Sequence, residues 1–160
     1  MAKTIPFVLF GYEKGMNEMR KSIVVAVVLS LIFLLSACES TGGNIDNIGV
    51  TFSSSTKFTN EEIQQAVDAV KEKFKEFEHC ELHSLSYEEE KSDAQIEIYL
   101  QSGKGSDNGT SAENTIVLFS NFDTDSQADG RFMPDTNYDW MFILIREEKD
   151  GNWIVDDWGY

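Results

Sequence analysis

The sequence predicts an α+β domain: one amphipathic N-terminal helix packed on a curved, mostly antiparallel sheet of about five strands. Three observations predict it. One stretch of helical periodicity, near residues 60–78, precedes five segments that read as strands. Turn-forming clusters join those segments, which favours antiparallel neighbours over long crossovers. The most apolar segment, Tyr138 to Glu147, is hydrophobic on both faces, so the sheet must be covered or curled on both sides.

The helix has a start signal and a stripe. Thr59 followed three residues later by Glu62 is a capping-box pattern. Ile63, Ala66, Val67, Val70, Phe74 and Phe77 then recur at helical spacing, with charged and amide side chains between them. The first predicted strand is Leu82 to Glu89. In the second, Ala94, Ile96, Ile98 and Leu100 alternate with Gln95, Glu97, Tyr99 and Gln101. A loop over 103–111 leads to a third strand over 114–121, and a loop over 127–136 leads to the fourth, Tyr138 to Glu147. Asp150-Gly151 is a hairpin-turn signal, and Trp153 opens a fifth alternating strand. Glu88 to Glu90 and Arg146 to Lys149 read as solvated strand ends.

The chain is strongly acidic, with 13 Lys and Arg against 28 Asp and Glu. Its 11 Phe, 5 Tyr and 3 Trp can supply a core. Residues 1–37 hold four basic and two acidic side chains, which leaves the rest at a net −17. Such a surface repels phosphate backbones, so nucleic acid is not an expected partner. It also repels anionic head groups, so membrane attachment requires a covalent anchor or an inserted segment. Two cysteines, Cys38 and Cys80, are too few for a disulfide scaffold.

Residues 20–38 read RKSIVVAVVLSLIFLLSAC. A basic pair, an apolar run and small residues before a cysteine are the three parts of a secretory signal. The ending Leu35-Ser36-Ala37-Cys38 resembles the bacterial lipobox, and that resemblance implies diacylglyceration of Cys38 and cleavage before it. The alternative is an uncleaved membrane anchor, but Ser22 to Ala37 is short of the roughly 20 residues of a comfortable span. The implied organisation is an N-terminal extension over 1–18, a signal peptide over 19–37, a flexible tether over 38–57 and the domain over 58–160. Translation starting at Met19 would account for the extension, since codons for Lys14-Gly15 can spell a ribosome-binding sequence. Within the tether, Ile45, Ile48, Val50 and Phe52 are apolar enough to dock as an edge strand.

The ending YDWMFILIREEKDGNWIVDDWGY is similar to the close of NTF2-like and cystatin-like domains: an aromatic-rich strand, a polar turn, Gly-x-Trp and a last strand. With the Asp-rich loop before it, the chain resembles small lipoproteins of Gram-positive Firmicutes. The resemblance covers about residues 58–160. It implies a curved sheet, and a family that hosts enzymes and binding modules alike.

Three constellations are chemical candidates. Asp125, Gln127 and Asp129, followed by Gly130, follow the opening of a calcium loop. The twelfth position is Thr136 where a bidentate Glu belongs, and the alternative is a solvated turn among Asp123, Asp125, Asp129 and Asp135. His79, Cys80 and His83 are zinc-ligand types, against a plain helix-to-strand junction with Cys80 buried. Asp139, Asp156, Tyr87, Tyr99 and His83 could supply the base and partner of an isomerase-like site, which would need a buried carboxylate.

The expected function is a non-catalytic, membrane-anchored lipoprotein whose domain binds a protein or small ligand, with no cofactor. The alternative is an NTF2-like isomerase or hydrolase with a pocket carboxylate. A buried pocket holding an isolated carboxylate would favour the enzyme, and an open polar sheet face the binding module.

Overall fold

The computed structural model describes residues 42–160. Cys38, the signal peptide and the N-terminal extension lie outside them. Among the described residues no helix is long and apolar enough to cross a membrane. The elements in order are β1 (Gly49–Phe52), α1 (Asn60–Phe74), β2 (Cys80–Tyr87), α2 (Glu89–Ser102), α3 (Gly105–Asn108), a 3-10 turn (Ala112–Asn114), β3 (Thr115–Thr124), β4 (Asn137–Ile145) and β5 (Ile154–Gly159). The strands form one open sheet in sequence order, β1-β2-β3-β4-β5. β1 is parallel to β2, and every other pair is antiparallel. The domain is therefore α+β with a five-stranded, mostly antiparallel sheet.

α1 forms as its sequence predicts. Thr59 Oγ1 accepts the Glu62 N–H at 3.2 Å, and the Glu62 carboxylate accepts the Thr59 N–H at 2.8 Å, closing the capping box. Ile63, Ala66, Val67, Val70 and Phe74 are buried against one face of the sheet. The helix stops at Phe74, short of the expected residue 78, because the chain turns there. Phe77 N–H returns to the Phe74 carbonyl, and His79 takes a left-handed φ of 61° that sends the chain into β2. Phe77 is still buried, tilted 45° on Phe74 and stacked with Phe142.

The strand expected from Ala94 to Gln101 is a correction: those residues lie in α2. Glu89 and Glu90 complement the dipole of its first turn. Ser92, Ile96 and Tyr99 are its buried residues, at helical spacing, while Ile98 is 57% exposed. The alternation of four apolar residues fitted both periods, and the acidic start and long polar flanks decide for the helix. The domain thus has three helices where one was expected. The count of five strands holds because Val50 and Phe52 dock in edge strand β1, while Ile45 and Ile48 pack against the core before it.

The chain before β1 is also fixed to the sheet. Gly43 N–H bonds the Lys75 carbonyl, and Asn44 exchanges hydrogen bonds with Cys80 and Leu82. Gly43 lies so close to α1 that a Cβ there would sit 2.1 Å from the Phe74 carbonyl oxygen.

α2 lies across the second face of the sheet, where Ile96, Tyr99 and Leu100 pack on Val117, Ile143 and Ile145. β2 pairs with β3 only as far as Phe119, and beyond that point the Val117 N–H is met by the Ser92 hydroxyl at 3.0 Å. A small buried polar residue on α2 thereby satisfies a donor that the sheet leaves free.

The two runs read as solvated ends are exposed except for one residue in each, Glu89 and Arg146. Glu89 is half-buried and receives the Ser55 and Thr56 hydroxyls and the Thr56 and Lys57 N–H groups. These bonds, the Ser55 and Thr56 hydroxyls foremost, lower its carboxyl to about 2. Arg146 is 5% exposed, with Nη1 2.7 Å from Glu62 Oε1 and its guanidinium 4.3 Å from the Trp153 ring centroid. The hairpin that carries them matches the ending predicted from Gly151-Asn152-Trp153, with Trp153 buried.

Candidate ligand-binding face

The second face of the sheet changes character half way along its strands. Going along β3, its residues are Val117 and Phe119, then Asn121 and Asp123. Opposite them on β4 stand Ile143 and Met141, then Asp139 and Asn137. β2 adds Ser84 and Ser86 beside Asn121 and Phe119. α2 covers the apolar half. The rest is an open trough of about 460 Å³. Half-buried Phe119 and Met141 form its floor, and Glu88, Lys91 and Gln95 line it from the start of α2.

A continuous hydrogen-bonded network runs across three strands at the polar end. His83 Nε2 lies 2.8 Å from Asp123 Oδ2. Asn137 Nδ2 donates to Asp123 Oδ1 at 2.6 Å and to Asn121 Oδ1 at 3.2 Å. Asn121 Nδ2 donates to Asn137 Oδ1 at 2.9 Å and to Asp139 Oδ1 at 2.8 Å. The Asn137 amide and the His83 ring hold the Asp123 carboxyl below the usual carboxylate range. Asp123 is then ionised and can only accept, so His83 presents a protonated Nε2. The bulge in β2 between Leu82 and Ser84 inserts His83 at this point of the pairing.

At one wall Lys91 Nζ is held 2.8 Å from Glu88 Oε1, an i,i+3 pair. Lys91 is the trough's one basic lining residue, against Glu88 and Asp139. Side chains of this kind can orient a polar ligand through hydroxyl, amide and carboxylate groups while the Phe119–Met141 floor takes an apolar part.

The calcium-loop residues do not converge in the same way. Asp125 Oδ1 accepts its own loop's Gln127 N–H at 2.7 Å, and Oδ2 lies 3.2 Å from His79 Nδ1. The Gln127 N–H bond, with the His79 contact, lowers the Asp125 carboxyl. Asp129 lines a separate cleft of about 360 Å³ with Glu76, Glu78, His79 and Arg131. Asp135 takes a left-handed φ of 49°, and its N–H bonds the Asp125 carbonyl. Among the described residues no three His, Cys, Asp or Glu side chains stand where they could hold a metal ion. His79 and His83 each face a different aspartate. Cys80 is buried beneath them, and burial pushes its thiol up to about 11.

The five residues weighed as an isomerase-like set separate into three places. Asp139 and His83 sit at opposite ends of the network above. Tyr99 Oη donates to Asp156 Oδ2 at 2.7 Å and accepts from Asn108 Nδ2 at 2.7 Å, under the C-terminal end of α2. Burial, and then the Asp156 carboxylate, push the Tyr99 hydroxyl up. Tyr87 is buried on the other face beside Ser55. Sequence reasoning missed Asn121, Asn137, Ser84 and Ser86, whose signal is positional: polar residues on the face that α2 buries further along.

The model of one family matches residues 53–159, and its description is Domain of unknown function (DUF4829). No curated protein and no solved structure matches the chain.

Proposed function

The chain belongs to the DUF4829 family, and we propose that it is a membrane-anchored extracytoplasmic lipoprotein whose domain binds a small ligand or protein segment without transforming it. Cys38 carries the diacyl anchor in this reading, and the sheet is curved as in NTF2-like and cystatin-like domains. The similarity of the chain's ending to small lipoproteins of Gram-positive Firmicutes supports this reading. The observation that carries the binding assignment is the uncovered half of this sheet face, where a five-residue polar network, two of whose members (Asn121 and Asp139) line the trough, adjoins the apolar Phe119–Met141 floor.

The electrostatics support binding over catalysis. A carboxylate base working near neutrality needs a raised pKa. The displaced carboxyls among the described residues, Glu62, Glu89, Asp123 and Asp125, all move down. The net charge of −17 outside residues 1–37 keeps nucleic acid out of the partner classes.

Fractions of the parent cell's envelope titrated into the isotope-labelled full chain in micelles should test this. Signals of Ser84, Phe119, Asn121 and Met141 should move together with one fraction. Shifts concentrated on another face, or none with any fraction, would sink the assignment.

A further inference from the structure

We propose that the trough takes a small aliphatic amine, its ammonium on Asp139 and its carbon chain along Phe119 and Met141. This rests on the trough being the binding face. Asp139 is exposed, and its Oδ1 is engaged by the Asn121 amide. Its Oδ2 receives no hydrogen bond from a described side chain, and Asp139 is one of the residues that line the trough. Lys91, the basic side chain nearest in the lining, is already held by Glu88. Among the described residues Asp139 therefore has no ion-pair partner.

Next to this carboxylate the surface turns apolar. Met141 is two residues along β4 on the same face, about 7 Å away, and Phe119 is paired with it on β3. A cation on an aliphatic stem matches both features at once. Its ammonium makes a charge-assisted hydrogen bond to Asp139, and its methylenes displace water from Phe119 and Met141. A carboxylate or phosphate would meet the field of residues 38–160, which carry a net −17. A ligand with hydroxyls alone would cover Asp139 without supplying a counter-charge. The volume of about 460 Å³ suits a small molecule rather than a folded partner.

The probe is n-hexylamine, titrated into the isotope-labelled full chain in micelles. Hexanoate, 1-hexanol, N-acetylglucosamine and a short lysine peptide serve as comparisons. Hexylamine should move the Ser84, Phe119, Asp139 and Met141 signals saturably. Asp139→Asn should weaken it about tenfold or more, equal to about 1.4 kcal/mol, with the remaining spectrum unchanged. Salt at about 0.5 M should also weaken it. Equal affinity in Asp139→Asn overturns the proposal, as does tighter binding of hexanoate or hexanol. Binding of N-acetylglucosamine without hexylamine keeps the face as a ligand site but makes the ligand a sugar. Tighter binding of the lysine peptide makes the source a protein side chain instead of a free amine. If no probe binds, the amine is excluded, and the envelope titration alone decides the face.

Discussion

The Arg146 guanidinium reaches Glu62 Oε1 at 2.7 Å across 84 residues of sequence, joining the first turn of α1 to the end of β4. Trp153 lies 4.3 Å below the same guanidinium, and its indole N–H donates to the Glu62 carbonyl at 3.0 Å. Burial pushes the Glu62 carboxyl up, but the Thr59 N–H and the Arg146 guanidinium outweigh it and hold it low. The helix cap and the terminal hairpin are thereby one unit.

Removing one partner of this pair should be costly. Glu62→Ala strands a buried guanidinium and opens the capping box, so it should cost about 3–5 kcal/mol in urea denaturation. Arg146→Met, which keeps the stack on Trp153 and removes the buried charge, should cost clearly less. Equal losses in the two variants would mean that the charge pair is not what links the elements.

Glu89 should make stability depend on pH. Its folded carboxyl lies at about 2 against an ordinary value of 4.5. A lowered folded value contributes stability that is present above pH 4.5 and lost as the pH falls toward 2. Thermal melts across that window should fall less steeply for Glu89→Gln than for the parent. Superimposable pH profiles would show that the bonds from Ser55 and Thr56 persist in the unfolded chain or contribute nothing.

Cys38→Ala should abolish lipid attachment and leave a precursor of higher mass in the membrane fraction. Mass spectrometry of the mature N-terminus checks it. An acylated, normally cut product from the variant would refute the lipobox assignment.

The Asp-rich loop should be indifferent to calcium. Asp125 is already engaged by Gln127 and His79. Calcium at about 10 mM, well above the roughly 10⁻⁴–10⁻³ M range of extracellular modules, should leave the melting temperature unmoved. A rise that disappears in an Asp125→Asn, Asp129→Asn double variant would establish a site there.

Local signals in the sequence were legible, and long-range ones were not. Thr59, Glu62 and the stripe from Ile63 to Phe74 define a helix because its cap and its period are properties of neighbours along the chain. Ile96 and Leu100 misled because four alternating residues satisfy a strand, while the Val117 N–H that Ser92 must meet lies 25 residues away. Arg146 looked solvated because its sequence neighbours are charged. Its surroundings come from α1 and from beyond the turn. The network from His83 to Asp139 draws on three strands, and only their register brings it together. What the sequence did hold was the change from Val117 to Asp123 on one face, which marks the limit of the cover that α2 provides.

The docking of Gly43 against Phe74 sets a short leash. Four residues lie between Cys38 and Gly43, a contour of at most about 18 Å over five fully extended steps. With the proposed acyl group on Cys38, Gly43 would stand within about 18 Å of that residue. His83, Asp123 and Asn137 belong to this same end of the sheet. Under that proposal, repulsion between the acidic domain and anionic head groups would oppose close approach of the sheet to the bilayer.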